Sequence, residues 1–372
     1  MEAYFKSIVD ESNRNAGMVS SNEPITKPLR VIKSVTTAIA DFKMPPLKPK
    51  KKAKSAPNPR CGHIPTATHS THLSGTHSTH LKSKGIIDEK KTKLSSTAPP
   101  LKVDASHGVY AAQGPRKTMQ DRHKVDLKFE VDGAIYSAYS VFDGHGDDAT
   151  AADYAALHLH ENLKTELKSR HCDDMSSSMT SILKRAYQRT DEGLIEASAS
   201  RRSGTCVLTL VLELSQVPMQ WHVAWAGDSR AILVTKDVVA RPKWASVDHT
   251  PTLAREYKRV RDLDGWISEG RVNGELAVTR AFGDKIKGSG PYEKYVVTGI
   301  PDCQSGVVME EDECIVLACD GVYDVMSNEM LAKETRLAIL CKPDLDVAAK
   351  RIVDRCLELR TWDNVTAMIV RF

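Results

Sequence analysis

The sequence lacks several features that define whole classes of proteins. No run of apolar residues approaches the ~18 residues of a membrane-spanning helix, and no signal-peptide pattern opens the chain. The eight cysteines are scattered singly, without the paired spacing of a zinc site or a disulfide framework. We therefore expect a soluble intracellular protein without disulfides.

Charge is distributed unevenly along the 372 residues. Residues 1–104 contain 18 Lys and Arg against 8 Asp and Glu, a net charge of +10, whereas the remaining residues contain 34 basic and 40 acidic side chains. The first part is rich in Lys, Ser, Thr and Pro and has no sustained hydrophobic periodicity. This composition predicts a disordered basic arm over residues 1–105 and one globular domain over residues 106–372.

Two motifs in the arm have more than one interpretation. The basic cluster at 48–54 would bind a nuclear import receptor or another acidic partner, or it is a solvated surface segment. Residence in the cytoplasm, in the nucleus or in both therefore stays open. The sequence Thr-His-Ser-Thr-His-Leu occurs at 68–73 and again at 76–81, where four imidazoles would hold a transition metal weakly. We favour a low-complexity tract that is open to phosphorylation.

Beyond residue 105 the pattern of apolar residues predicts an α+β domain, because groups of strands precede and follow pairs of helices. Strands are predicted at residues 108–113, 124–130, 134–142, 204–213, 220–226, 231–235, 313–319 and 365–371. Helices are predicted at residues 148–169, 179–197, 252–264, 328–340 and 345–359. The first helix is predicted to bury one apolar face, formed by Tyr154, Leu157, Leu163 and Leu167. The second strand is predicted to alternate, with one face formed by Val125, Leu127 and Phe129.

Aspartates recur at the ends of the predicted strands. Four of them lie beside an apolar strand and next to Gly or Asn, and a fifth precedes the second strand: Asp143, Asp228, Asp320, Asp363 and Asp121. A single aspartate there is an ordinary turn residue, but five would place several anions at one edge of a sheet. Because clustered carboxylates repel one another, we expect cations between them, and an all-oxygen donor set favours Mg²⁺ or Mn²⁺ over zinc.

Seven motifs occur together in one order along the chain. They are Asp143-Gly-His-Gly146, Ser203-Gly-Thr205, Gly227-Asp-Ser-Arg230, Asp248-His-Thr-Pro251, Leu276-Ala-Val-Thr-Arg-Ala-Phe-Gly-Asp284, Leu317-Ala-Cys-Asp-Gly321 and Trp362-Asp-Asn-Val-Thr366. In this order they resemble the metal-dependent serine/threonine protein phosphatases of the 2C type. The resemblance covers residues 106–372 and leaves the arm outside it.

The resemblance implies a central antiparallel β-sandwich flanked by pairs of helices, in α-β-β-α layers, with a metal site at one end. Seven residues are implied to form that site: Asp143, Gly144, Asp320, Asp363, Asp121, Asp228 and Asp324. By position, Asp143 would bridge two Mg or Mn ions with help from the carbonyl of Gly144, and Asp320 and Asp363 would ligate one ion. Asp121 would contact a metal-bound water, while Asp228 and Asp324, with Asp320 shared, would hold a weaker third ion.

The implied reaction is hydrolysis of phosphoserine and phosphothreonine by a hydroxide that bridges the two ions. Arg116 matches the family's arginine that grips the substrate phosphate, and His145 matches its general acid. The sequence has no Cys-x₅-Arg loop of the tyrosine-phosphatase kind, in agreement with direct attack by water. Arg280 and Asp284 lie in the segment that resembles the family's flap, and we interpret both as structural.

The chain departs from the family's pattern at two places. Gln120 stands where the family usually has Glu, which removes one negative charge near the metals. Asp147 and Asp148 stand where a further glycine is usual, and they are predicted to cap the next helix.

Two alternatives to the phosphatase interpretation remain open. Gln120 favours a catalytically weak or inactive pseudophosphatase that serves as a binding module. The other alternative keeps hydrolysis but acts on small phosphorylated molecules. We expect phosphorylated proteins as substrates, no nucleic-acid or membrane partner for the catalytic domain, and a monomer.

Overall fold

The computed structural model describes residues 105–173, 178–197, 202–237, 240–288 and 295–372. The predictions for the basic arm, its lysine cluster and its repeat concern residues 1–104 and lie outside the described residues. Within the described ranges, no helix is both long and apolar enough to cross a membrane.

Twelve strands and six helices occur in the described part of the chain. In chain order they are β1 (Ser106–Ala112), β2 (Arg122–Val131), β3 (Ala134–Gly146), α1 (Thr150–Asp173), α2 (Met179–Ala197), β4 (Ser203–Glu213), β5 (Gln220–Ala226), β6 (Arg230–Thr235), β7 (Pro242–Ala245), α3 (Ala254–Asp262), β8 (Ile267–Ser268), β9 (Arg271–Val272), β10 (Asp302–Val307), β11 (Asp312–Ala318), α4 (Asp320–Tyr323), α5 (Asn328–Cys341), α6 (Leu345–Glu358) and β12 (Val365–Arg371).

The strands form two five-stranded antiparallel sheets and one small hairpin. The first sheet has the order β1-β12-β11-β6-β7, the second has the order β10-β5-β4-β3-β2, and β8 pairs with β9. Side chains such as Tyr139 and Leu210 of the second sheet pack against Leu233 and Ile315 of the first sheet. The interior between the two sheets is therefore apolar from both sides.

Helices cover the outer face of each sheet. Because successive side chains of a strand point to opposite faces, Phe142 packs among residues of α1 and α2, whereas its neighbour Val141 faces the other sheet. On the other side, Val316 of β11 packs among residues of α5 and α6. The predicted α-β-β-α layering of an antiparallel sandwich is confirmed.

Two details of the predicted apolar faces are wrong. Leu157 is 66% exposed, and Leu159 is buried instead, because it shares with Leu163 and Leu167 the four-residue spacing that keeps one helix face. In β2 the pairing with β3 shifts register between Asp126 and Phe129, which is a β-bulge. Leu127 lies in that bulge and is 50% exposed, so strict alternation ends there.

Several short elements have no counterpart in the predicted pattern. The edge strand β10 has the sequence DCQSGV and pairs with β5 through its backbone. The hairpin of β8 and β9 lies in the segment predicted as irregular. Asp320, which was predicted to lie in a turn, is the first residue of the short helix α4.

Candidate active site

The predicted site residues come from the strand ends at one edge of the sandwich. Asp143 lies near the end of β3, where it pairs with Cys206 of β4. Asp228 lies in the turn between β5 and β6, Asp320 lies two residues after the end of β11, and Asp363 precedes β12. Buried strands such as β4 and β11 support these ends, so the carboxylates are attached to regular secondary structure rather than to long loops.

The structure brings all six predicted carboxylates into three overlapping groups. In each group the possible ligand atoms lie within 4.8 Å of one another: Asp121, Asp143 and Cys319; Asp143, Asp228 and Asp320; Asp320, Asp324 and Asp363. Asp143 and Asp320 are each shared by two groups, and the backbone N–H of Asp320 donates to Oδ2 of Asp143 at 3.4 Å. The three groups therefore form one continuous carboxylate cluster.

Burial and mutual repulsion disfavour the ionised forms of Asp121, Asp143 and Asp320. Burial, with the charges of Asp320 and Asp121 added, raises the pKa of Asp143 well above its ordinary value. Burial together with Asp228 raises the pKa of Asp320 to about 8, and burial raises that of Asp121 to about 6. Divalent cations would remove this repulsion, so the electrostatics of the cluster fit a metal centre.

Two buried thiols border the cluster. Cys206 Sγ donates to Oδ1 of Asp228 at 3.3 Å, and Cys319 Sγ accepts from the N–H of Thr366 at 3.1 Å. Burial and the nearby carboxylates raise the pKa of both thiols well above the ordinary value, so both remain protonated. Since a metal-binding cysteine is a thiolate, the donor set consists of oxygen atoms and suits Mg²⁺ or Mn²⁺ better than zinc.

Gly144 brings the loop before β2 against β3. A Cβ on Gly144 would lie 2.5 Å from the backbone oxygen of Gln120, so a larger residue cannot occupy this position without moving the loop. The neighbouring Asp121 is 3% exposed and accepts a hydrogen bond from Thr366 Oγ1 at 2.6 Å. Only glycine allows this approach of the two backbones.

Asn364 is a site residue that the sequence reasoning missed. Its Oδ1 accepts from the N–H of Gln120 at 2.8 Å, and its Nδ2 donates to the carbonyl oxygens of Gln113 and Thr118 at 2.7 and 3.0 Å. One buried amide therefore fixes both ends of the loop that contains Arg116. The sequence feature that could have identified Asn364 is its place in the Trp362–Thr366 motif.

Arg116 lies at the rim of the cluster. Its side chain is 55% exposed, its Nη2 lies 2.5 Å from Oδ2 of Asp363, and its Nε donates to the carbonyl oxygen of Trp362 at 3.1 Å. A guanidinium carries five N–H donors, so these two contacts orient the group and leave donors for an anion.

His145 has a partner that was interpreted as structural from the sequence. Its Nε2 lies 2.8 Å from Oδ2 of Asp284, at the end of the segment 276–284. Burial alone would lower the pKa of His145, but the charge and hydrogen bond of Asp284 outweigh it, and the pKa is raised. Asp284 lies at the end of a recognised motif, which is the sequence feature that could have marked it as a site residue. The sequence gives no indication that its partner is His145.

The two departures from the family's pattern have clear positions. Gln120 Nε2 donates to the carbonyl oxygen of Gly146 at 3.4 Å, so its amide lies beside the Asp143–Gly146 turn. Asp148 Oδ1 accepts from the N–H of Thr150, the first residue of α1, at 2.9 Å. Asp148 therefore has the predicted capping contact.

A buried ion network holds the segment that contains Thr279 and Arg280. Glu256 of α3 is 1% exposed and accepts hydrogen bonds from Arg280, Arg259 and Thr279 at 2.5, 3.0 and 3.0 Å. Burial alone would raise the pKa of Glu256, but these partners lower it to about 2. The contacts of Arg280 within this network agree with the structural interpretation.

Comparison with known proteins gives a consistent picture. A sequence model described as Protein phosphatase 2C matches residues 105–365. Protein phosphatase 2C homolog 2 of Hypocrea jecorina is 33% identical over 283 residues, which cover 72% of this chain and 62% of that protein, less than two thirds of its length. Protein phosphatase 1B of Mus musculus is 32% identical over 281 residues, which cover 72% of this chain and 70% of that protein. A solved phosphatase structure from Toxoplasma gondii has the same fold, with a TM-score of 0.61 over 72% of this chain and 92% of that chain at 22% identity.

Proposed function

This chain belongs to the protein phosphatase 2C family, and we propose that it hydrolyses phosphoserine and phosphothreonine in proteins with two bound divalent cations. The observation that carries the proposal is the convergence of six carboxylates between Arg116 and His145. The carboxylates supply ligands for cations, Arg116 supplies N–H donors that bind an anion, and His145 supplies a proton.

The residues fit Mg²⁺ or Mn²⁺ as the cations. Asp143 would be shared between two ions, Asp320 and Asp363 would complete one site, and Asp121 would lie close by. Asp228 and Asp324 would hold a third ion more weakly. When bound, such ions supply positive charge for phosphoryl oxygens and lower the pKa of a bound water toward neutrality.

The chain's own groups supply binding and proton transfer. Arg116, oriented by Asp363 and by the carbonyl oxygen of Trp362, would hold two phosphoryl oxygens through its N–H donors. His145 would protonate the serine or threonine oxygen as that oxygen leaves phosphorus, because an alkoxide is too basic to leave unprotonated. The raised pKa of His145 favours the protonated ring that this role needs.

The test is release of phosphate from a phosphothreonine peptide by the full chain. We expect activity with Mn²⁺ or Mg²⁺, none with a chelator, and a loss of at least ~100-fold for Asp143→Asn, since the shared ligand is removed. Glu310→Gln, which changes an exposed carboxylate outside the cluster, is the matched control and should retain full activity. A wild-type chain that folds and binds Mn²⁺ but releases no phosphate would contradict the proposal.

One observation favours the alternative of a pseudophosphatase that acts as a binding module. Gln120 places a neutral amide, rather than a carboxylate, 3.4 Å from the carbonyl oxygen of Gly146 at the edge of the site. If this amide weakens metal binding, Gln120→Glu should restore turnover at lower Mn²⁺ concentration. A wild-type chain and a Gln120→Glu variant that both bind a phosphopeptide without cleaving it would favour the binding module.

A further inference from the structure

Asp284 and His145 form a pair at the border of the carboxylate cluster. Nε2 of His145 lies 2.8 Å from Oδ2 of Asp284, and the two side chains are only 25% and 15% exposed. The residues are 139 positions apart in sequence, so the pair exists only because the fold brings the segment 276–284 against the end of β3.

The position of Asp284 is fixed by the two residues that precede it. Phe282 exchanges both backbone hydrogen bonds with Thr205 of β4, at 3.0 and 2.9 Å. The N–H of Gly283 donates to Oδ1 of Asp191 in α2 at 2.8 Å. The carboxylate of Asp284 therefore extends from a backbone that is anchored to a central strand and to a helix.

Gly204 provides the space in which the pair meets. It lies directly opposite His145 in the pairing of β3 with β4. A Cβ at position 204 would collide with Nε2 of His145 and with Oδ2 of Asp284. The strand thus carries glycine where a side chain would separate the two groups.

We propose that Asp284 is a positioning residue that fixes the ring of His145 through Nε2, so that Nδ1 carries the proton given to the leaving oxygen. The inference rests on the proposed function, in which His145 is the general acid. An anchored carboxylate that accepts from one ring nitrogen sets both the orientation of the ring and the nitrogen that remains for proton transfer.

Proton transfer from His145 accompanies cleavage of the bond between phosphorus and the leaving oxygen. The attacking water gives one proton to solvent as a bond forms between phosphorus and its oxygen, and the bond from phosphorus to the serine or threonine oxygen breaks with its electron pair on that oxygen. Nδ1 of protonated His145 gives its proton to this oxygen, which leaves the neutral ring with its remaining proton on Nε2. Asp284 accepts the Nε2–H hydrogen bond throughout, and a proton from solvent restores Nδ1.

A purely structural role for Asp284 predicts a different result, and the leaving group distinguishes the two. The alkoxide of threonine needs a proton, whereas p-nitrophenolate is a weak base and leaves without one. Removal of Asp284 should therefore slow cleavage of a phosphothreonine peptide by about 10–100-fold in kcat, within the usual contribution of general acids. Cleavage of p-nitrophenyl phosphate should change by less than about threefold, because that reaction does not use the acid.

The experiment compares full-length, Mn²⁺-loaded variants on both substrates. Asp284→Ala removes the acceptor, and Gly204→Ala pushes the pair apart while keeping both groups, so a folding defect in one variant leaves the other to decide. Glu275→Gln changes an exposed carboxylate of the same region and should behave as wild type. In a His145→Gln background, Asp284→Ala should cause no further loss, because the residue acts through His145.

A second readout is independent of turnover. Two-bond ¹H–¹⁵N NMR correlations of the full chain report which ring nitrogen of each histidine carries a proton, and the signal lost in His145→Gln identifies His145. We expect that signal to change in Asp284→Ala and in Gly204→Ala but not in Glu275→Gln.

Three results would overturn the inference: equal losses on both substrates, a further loss in the His145→Gln background, or unchanged His145 signals in both disrupting variants. If the wild-type chain cleaves neither substrate, the proposed function fails, and the positioning of a general acid by Asp284 fails with it. The NMR comparison then still shows separately whether Asp284 sets the state of His145.

Discussion

Replacing Asp320 by Asn should have opposite effects on stability with and without metal. Asp320 belongs to two of the three carboxylate groups, and burial together with Asp228 raises its pKa from 3.8 to about 8. In the metal-free protein near neutral pH, folding therefore forces Asp320 to take up a proton that the unfolded chain does not hold. Asn has no such proton to bind, so Asp320→Asn should stabilise the metal-free protein.

The sign and the size of this effect follow from proton linkage. A carboxyl group with a raised pKa makes its full contribution to stability below its unfolded pKa of 3.8, and that contribution is lost as the pH rises through about 8. At about pH 7 the loss amounts to roughly 4 kcal/mol, at 1.36 kcal/mol per pKa unit, as an upper value because neighbouring carboxylates share the protons. The advantage of Asp320→Asn over wild type should thus approach this value near neutral pH and disappear toward pH 4.

The assay is urea unfolding of the full chain, followed by tryptophan fluorescence, in chelator at several pH values and then in excess Mn²⁺. Bound Mn²⁺ should stabilise wild type strongly and Asp320→Asn weakly, because binding to the native state alone raises the free energy of unfolding. Glu310→Gln should match wild type in every condition. An Asp320→Asn variant that is less stable than wild type in chelator near pH 7, or whose difference does not change with pH, would refute the reasoning.

Four further predictions concern the groups around the cluster. Glu256→Gln should lower the free energy of unfolding by up to about 3 kcal/mol near neutral pH. Because the pKa of Glu256 lies at about 2 beside Arg280, urea unfolding should show this difference fading as the pH falls from about 4.5 toward 2. Asn364→Ala should raise the KM for a phosphothreonine peptide by about tenfold, since the loss of a buried hydrogen-bonded anchor costs roughly 1–3 kcal/mol. The Mn²⁺ affinity, measured by calorimetry, should stay near that of wild type. An unchanged KM would contradict the role given to this amide. Gly144→Ala should reduce Mn²⁺ affinity in the same calorimetric measurement, because its Cβ would lie 2.5 Å from the oxygen of Gln120. Gln120→Glu should increase Mn²⁺ affinity severalfold through the added charge, and equal or weaker binding would show that the amide is not a defect of the site.

The parts of the fold that could be predicted are those in which local pattern and tertiary role agree. In β4 and β11, helices cover one face and the other sheet covers the opposite face. Because both faces are buried, consecutive residues are apolar, and the sequence shows a continuous apolar run. Asp320 was recognisable for the same reason, since a charged residue close after the apolar run of β11 is conspicuous. The carboxylate cluster therefore follows from strand positions together with the order of the motifs.

The parts that could not be predicted depend on contacts between distant segments. The partner of His145 lies 139 residues away, and Asn364 holds a loop 244 to 251 residues away. β10 is polar in sequence because an edge strand is stabilised mainly by backbone pairing with β5, and the bulge at Leu127 depends on register with β3. No local pattern contains such information.

The two kinds of site residue should also differ in how their loss affects the protein. The carboxylates stand at the ends of buried strands, where their repulsion is tolerated because the surrounding sheets are held by their own apolar packing. Arg116 and Asp284 lie on loops, and each loop is held by one polar side chain, the buried Asn364 or the half-buried Asp191. Loss of Asp143 or Asp320, whose pKa values burial raises, should therefore change metal binding and metal-free stability in opposite directions. Loss of Asn364 or Asp191 should change the KM or kcat for a phosphopeptide while metal-linked stability stays nearly constant. The kinetic and stability measurements together therefore show whether a variant of the site affects binding of the cations or alignment of the substrate.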